Sequence, residues 1–377
     1  MKNILFLTLL LSQFYLVAAQ KFENKMDSLI SSEFKETEGP GLVFLVAKNG
    51  KPIYEKAIGK ANLELNVDMA TNQVFQIASM TKQFTAVAVL MLEELGKLNV
   101  NDAVSKYIPD YPNGNNITLH HLLNHTSGIK DFTKIKALKD ISQKEMTPKM
   151  MVNFFKNEKV DFLPGEKFEY NNSGYVLLGY IIELVSKESY ATFLQKNIFE
   201  KAGMNHTLYA TDRQIVKNRA YGYHKKETGY VNKTVISYSI PFSSGALMST
   251  TEDLLQWQNA LTQNKLLKKD SLEKAFRKYK LNNGEEISYG YGWHIKDILG
   301  TVSREHGGHL FGYKSMAVYI PSKDIYAVTL AIVTVTLPPK SQEKSLKLPL
   351  KILKINRKLK NCKLISQKIH HIKLNFN

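Results

Sequence analysis

The apolar and polar positions divide the chain into three stretches. Gly41–Ala47 (GLVFLVA) is a run of β-formers. Lys48-Asn49-Gly50-Lys51 follows as a hairpin turn, because Asn-Gly supplies the positive φ angles that tight turns need. Pro52–Ala57 then returns as a second strand. The pattern changes at Met80–Leu95, which reads as one helix closed by Gly96, a good C-terminal cap. Its TAVAVLML core is apolar all round, so the helix belongs in the interior. Thr118–Asn124 and Ser173–Val185 also read as helices, as does Thr251–Thr262, with Thr251 as cap and Glu252 and Asp253 in its first turn. From Ser288 the pattern returns to strands, over Tyr289–Ile295, Tyr313–Ile320 and Ile325–Val335. Strands, a helical middle and strands again let the two ends of the chain share one sheet. The fold class is therefore α/β (α+β), with an antiparallel sheet of N- and C-terminal strands flanked by helices. An α/β lobe from about 20–78 and 246–337 and a helical lobe from about 79–245 would leave a cleft between them.

The two ends differ from the body. Met1–Ala19 has a lysine near its start, the apolar stretch Ile4–Leu11 and small residues at Val17-Ala18-Ala19. It reads as a secretory signal cleaved before Gln20, too short for a membrane span. The expected location is therefore exported, periplasmic or extracellular, with no transmembrane segment after signal removal. Residues 338–377 hold 11 Lys/Arg against the single acid Glu343, so they carry +10 of the net +17. This tail lacks a sustained amphipathic period, and Pro349 breaks any long helix, so it is expected to be poorly packed. With the tail set apart, the body is only mildly basic and has no nucleic-acid-binding pattern; no nucleic-acid partner is expected. The single cysteine, Cys362, excludes an internal disulfide and Cys-based metal sites, and no His-Glu-x-x-His occurs.

Three short patterns carry chemistry. Ser-x-x-Lys on a helix puts a lysine amine within reach of a serine hydroxyl, where it can take the proton. With 24 serines and 46 lysines the pattern occurs five times, at Ser32, Ser79, Ser127, Ser271 and Ser341. Only Ser79-Met80-Thr81-Lys82 opens a long buried helix, whose N-terminus favours negative charge. A lysine on such a helix is costly unless it is used or paired. The plainer alternative is a helix cap at Ser79 and a snorkelling Lys82. The second pattern is Tyr170-Asn171-Asn172, between the Pro164-Gly165 loop and a helix. A tyrosine pressed against a lysine is expected to favour its phenolate and so to shuttle protons, while Asn172 offers an amide to a substrate. Alternatively, Asn172 or Ser173 only caps the helix. The third is His306-Gly307-Gly308-His309, where two glycines suit a strand edge approached closely by a ligand. Its N–H groups would supply half of an oxyanion hole, unless it is an ordinary turn.

The motifs come in the order Ser79/Lys82, Tyr170/Asn172 and His306/Gly308. Around them stand FQIASMTKQFTAVAVLMLEELGKL, ITLHHLLNHTSGI (Ile117–Ile129) and FLPGEKFEYNNSGYVLLGYIIE. From about Phe44 to Leu330 the chain resembles the serine β-lactamase-related hydrolases: class C β-lactamases, D-Ala-D-Ala carboxypeptidases, D-aminopeptidases and related esterases. The resemblance implies a β-lactamase-like fold. It implies that Ser79 forms an acyl-enzyme, that Lys82 and Tyr170 manage the proton, and that Asn172 orients the acyl side chain. The backbone N–H groups of Ser79 and His309 would form the oxyanion hole. No metal and no organic cofactor are implied, and the partner would be a small ester, peptide or β-lactam substrate, including peptidoglycan peptides. Many relatives carry Lys-Thr-Gly at the third motif, where this chain has His306-Gly307-Gly308. Without the threonine hydroxyl, recognition of a free carboxylate weakens, which tilts the expectation toward an esterase or D-amino-acid peptidase. The rival readings are a non-catalytic penicillin- or peptide-binding sensor domain on the same scaffold, and a surface-binding protein acting through its tail.

Overall fold

The computed structural model describes residues 20–335 apart from 21, 22, 29, 33, 35, 36 and 299. The expected signal segment 1–19 and the basic tail 338–377 lie outside the described residues. The chain divides into a small unit formed by Met1–Thr37 and Leu337–Asn377, and a large one, Glu38–Thr336. In the small unit, residues 23–28 and 30–32 are helical.

The large unit is built on a six-stranded sheet. Its strands are β1 (Leu42–Lys48), β2 (Lys51–Ile58), β3 (His294–Asp297), β4 (Val302–Leu310), β5 (Tyr313–Ile320) and β6 (Ile325–Ala331). They run in the order β3-β4-β5-β6-β1-β2, every neighbour antiparallel. The two ends of the large unit meet where Leu42 pairs with Ala331 and Lys48 with Ile325. Asn49 and Gly50 make the β1–β2 turn with φ of 51° and 71°, as the dipeptide predicts. Helix α1 (Thr81–Glu94) is buried on all sides from Thr81 to Leu92. It closes on Gly96 at φ 66°, with Gly96 N donating to Glu93 O and Lys97 N to Leu92 O. Helix α2 (Asn172–Ser186) packs against α1, and α3 (Thr251–Thr262) lies on β1 and β6. Trp257 of α3 stacks on Phe84 of α1 with ring centroids 4.1 Å apart, joining the two layers.

Several boundaries differ from the periodicity. The caps fall one residue earlier than read from sequence: Thr250, not Thr251, accepts from Asp253 N, and Asn171, not Asn172 or Ser173, accepts from Gly174 N. The stretch before His294 is not a strand, because it runs across α1. Gly292, at φ 85°, lies so close that a Cβ would stand 3.0 Å from the Lys82 carbonyl oxygen. The last apolar run is two strands. At Ile332 the chain leaves the large sheet, and Val333–Val335 pairs in parallel with Tyr223–Lys226. Continuous hydrophobicity does not reveal such a change of partner.

Candidate active site

Ser79 lies in a 3-10 turn, Ala78–Met80, at the head of α1. The short strand Phe75–Gln76 leads into it and pairs with Leu247–Ser249, which also pairs with Leu208–Tyr209. Ala78 is held at φ 48°, a left-handed conformation that costs a non-glycine residue about 1–3 kcal/mol and is common at functional turns. Ser79 itself stays partly exposed.

One helical turn on, Lys82 is fully buried. Its Nζ donates to Ser79 Oγ at 3.3 Å, Asn172 Oδ1 at 2.8 Å and the Ser244 carbonyl at 2.9 Å. These three acceptors match the three protons of an ammonium. Burial brings the Lys82 pKa down to about 7, against the opposing pull of the Asp131 carboxylate. Near neutral pH the side chain is therefore divided between ammonium and free amine, and the amine has a lone pair to offer the Ser79 hydroxyl.

Tyr170 keeps part of its ring exposed, but its hydroxyl oxygen is buried and has no well-formed hydrogen bond. Burial raises its pKa, which Ser79 lowers in part and Asp131 raises further. The phenolate expected from the sequence is thus corrected to a neutral phenol. Lys82 Nζ sits 4.8 Å from the centroid of the Tyr170 ring, over its face, and is itself readily neutralised. Asn172 is the first residue of α2. Its Oδ1 faces Lys82 and its Nδ2 donates to Asp131 Oδ2 at 3.0 Å.

The third motif reaches the serine through its backbone. β3 pairs only with Val302–Glu305 of β4, so from His306 onward that edge has no strand beside it. The serine turn lies there instead. Ser315 Oγ, across from Gly308, donates to the Ile77 carbonyl at 2.7 Å. A Cβ on Gly308 would stand 2.3 Å from that same carbonyl oxygen and 2.4 Å from Ser315 Oγ. Gly308→Ala is therefore expected to cost about 1–3 kcal/mol by overpacking and to slow any labelling of Ser79. A wild-type urea midpoint together with a wild-type labelling rate would show that this strand does not hold the turn.

The two histidines of this motif part company. His306 is buried; its Nδ1 lies 2.6 Å from the Gly307 carbonyl and so carries the proton, leaving Nε2 to accept from the Tyr289 hydroxyl at 3.0 Å. Burial, aided by His294 and Lys82, holds its pKa well below the usual histidine range. The His306 side chain is an uncharged internal strut. The His309 side chain is exposed, on the alternate face of β4 from Gly308.

The structure thus gathers Ser79, Lys82, Tyr170 and Asn172 side by side and lays the Gly308 backbone against the turn. It adds groups that the motifs did not name: the Ser244 carbonyl, the buried Asp131, and His125, whose ring centroid lies 4.4 Å from that of Tyr170. A signal existed in Ile117–Ile129, which contains His125 and stops two residues short of Asp131. No group of His, Cys, Asp or Glu among the described residues is arranged to hold a metal ion. No helix among them is long and apolar enough to cross a membrane.

Comparison with known proteins identifies the family. A family model described as Beta-lactamase matches residues 19–347. Penicillin-binding protein 4* of Bacillus subtilis is 35% identical over 294 residues, covering 73% of this chain and 64% of its own length. The chain thus spans just under two thirds of that relative. A penicillin-binding protein homologue from Pyrococcus abyssi superposes with a TM-score of 0.74 at 30% identity, covering 87% of this chain and 77% of its own. A D-amino acid amidase from Ochrobactrum anthropi, 22% identical, shares the fold with a TM-score of 0.77 over 89% of this chain and 99% of its own. By the extent of the family match, with the serine–lysine turn at the head of a buried helix, the chain is a member of the beta-lactamase family, whose members include serine hydrolases.

Proposed function

We propose that the protein is an exported serine hydrolase that cleaves an ester or amide through an acyl-enzyme on Ser79. The observation that carries this reading is the buried Lys82 amine, which titrates near neutral pH and is held 3.3 Å from the Ser79 hydroxyl. The free amine of Lys82 takes the Ser79 proton as Oγ bonds to the substrate carbonyl carbon. The carbonyl oxygen becomes an oxyanion, received by the backbone N–H groups of Ser79 and His309. Tyr170, a neutral phenol, gives its proton to the leaving alcohol or amine and regains one from the Lys82 ammonium. The acyl-enzyme forms as the bond to the leaving group breaks. Water then adds to the acyl carbon, giving its proton to the Tyr170–Lys82 pair, and Ser79 leaves protonated. Asn172 lies beside the acyl chain with its second amide hydrogen free of Lys82 and Asp131.

The substrate class follows from the third motif. Gly307 has no hydroxyl and His306 is buried and neutral, so this strand offers no charged or hydroxyl side chain at those positions to a substrate carboxylate. Esters and D-amino-acid amides or peptides are therefore favoured over β-lactams. The D-amino acid amidase among the structural neighbours is compatible with this choice, though at 22% identity it speaks for the fold alone. Export rests on the apolar N-terminal segment. The test is a panel of p-nitrophenyl esters, nitrocefin and D-alanyl peptides, each run with wild-type protein and Ser79→Ala. Turnover of an ester or D-alanyl peptide that depends on Ser79 supports the reading. Acylation of Ser79 without release makes the protein a sensor on the same scaffold. Failure of every reagent to acylate Ser79 removes the hydrolase reading.

A further inference from the structure

The segment Ile129–Phe132 runs beside the start of α2 and is joined to it residue by residue. Asn171 Nδ2 donates to the Ile129 carbonyl at 2.6 Å. Ser173 Oγ donates to the Lys130 carbonyl at 2.7 Å and accepts from Phe132 N at 2.8 Å. Between these contacts, Asp131 Oδ2 accepts from both Asn172 N, at 2.8 Å, and Asn172 Nδ2, at 3.0 Å. Its other oxygen accepts from Thr133 N and Thr133 Oγ1 at 2.8 and 2.7 Å.

Asp131 is only 3% exposed, and no lysine or arginine among the described residues forms an ion pair with it. A buried carboxylate of this kind is costly unless several donors converge on it, as four do here. The arrangement also has a direction. An amide whose Nδ2 is held on a carboxylate turns its oxygen the other way, and there stands Lys82 Nζ.

We propose that Asp131 is a positioning residue that fixes the Asn172 carbonyl toward Lys82, so holding the Lys82 amine at the Ser79 hydroxyl. This rests on the hydrolase reading only for its consequence in catalysis. The groups facing Lys82 are Ser79, Asn172, the Ser244 carbonyl and the rings of Tyr170 and Tyr175. His125 and His306 stand nearby, both held well below the usual histidine range by burial, so they are neutral at pH 7. Tyr170 and Tyr175 are shifted up by burial and are neutral as well. Asp131 is thus the charged group acting on Lys82 at that pH, and it favours the ammonium.

The test reads Lys82 directly. In full-length protein carrying ¹³Cε-labelled lysine, the Lys82 signal is identified by its loss in Lys82→Met and followed from pH 5 to 10. Asp131→Asn keeps an oxygen for Asn172 but removes the charge. The expected result is a Lys82 titration about one pH unit lower than wild type. The acid limb of Ser79 labelling should move the same way, and labelling at pH 7 should change in rate. A role confined to folding would lower the yield of active protein without moving either titration. Should Asp131→Asn fail to fold, Asp131→Ser removes the charge while leaving a hydroxyl beside Asn172, with the same expectation. An unmoved Lys82 titration in the folded variant overturns the proposal, whatever the activity. If Lys82 shifts while no probe acylates Ser79 in wild type, Asp131 keeps its role and the hydrolase reading falls. If Ser79 is acylated and Lys82 does not shift, the reverse holds.

Discussion

Treated with a fluorescent penicillin or a fluorophosphonate, the protein will gain one adduct, on Ser79. The chain contains five Ser-x-x-Lys patterns, and the surroundings of the three that lie wholly among the described residues separate them. Lys130, after Ser127, is paired with Asp161 at 2.8 Å, and Lys274, after Ser271, with Glu93 at 2.8 Å. Each of those amines is held on a carboxylate rather than on its serine. Ser127 is also buried, closed to a bulky reagent. Lys82 instead meets a hydroxyl, an amide oxygen and a carbonyl, none of them charged, and so can release its proton near neutrality. Ser79→Ala should abolish the adduct and lower turnover by roughly 10⁵-fold or more, as expected when a covalent nucleophile is lost. Peptide mass spectrometry locates the adduct. Labelling of Ser32, Ser127, Ser271 or Ser341 with Ser79 untouched would overturn the assignment.

The second large effect concerns the proton. Lys82→Ala and Tyr170→Phe should each slow acylation by about 100-fold or more, the scale of a positioned acid–base group. Lys82→Arg should be no better than alanine, because a guanidinium does not give up its proton in this pH range. The wild-type pH profile has a definite sign. Lys82 must be neutral to act as base, and its pKa is brought down to about 7, so the acylation rate should fall as pH drops below that value. Tyr170 remains protonated through the same range, so the phenol should not add a limb near neutrality. The measurement is the rate of ester acylation from pH 5 to 9 in each variant. Near-normal turnover in Lys82→Ala or Tyr170→Phe removes that residue from the proton path. A flat wild-type profile through pH 7 removes Lys82 as the base.

Much of this architecture is legible before any coordinates. Asn49-Gly50 calls for a tight hairpin, and the apolar run from Thr85 to Leu92 calls for a buried helix. Both follow from interactions spanning a few residues, so composition and period are enough. Ser79 and Lys82 lie one turn apart on that helix, and the turn alone makes them neighbours. The order of the three motifs likewise survives into a single site, because each sits at the start or edge of an element the pattern reveals.

The remainder depends on distant partners. The Ser244 carbonyl that accepts from Lys82 comes from 162 residues further along the chain, and Asn172 from 90. Nothing local says that Lys82 is walled from water, yet that burial brings its pKa near neutrality. The sequence neighbourhood of Tyr170 says nothing of an enclosed hydroxyl; burial decides for the phenol. Asp131 carried no motif of its own, and its importance appears only when the chain brings it to the first residue of α2. The glycines beside His306 suit a strand edge that a ligand approaches closely, whereas the fold turns the His306 ring inward to Tyr289 and leaves Gly308 to meet the serine turn. Local sequence chemistry was sufficient for the main helices and strands and for where the candidate nucleophile stands. The protonation states of Lys82 and Tyr170 were decided by tertiary burial, because desolvation and charge act through space between groups far apart in the chain.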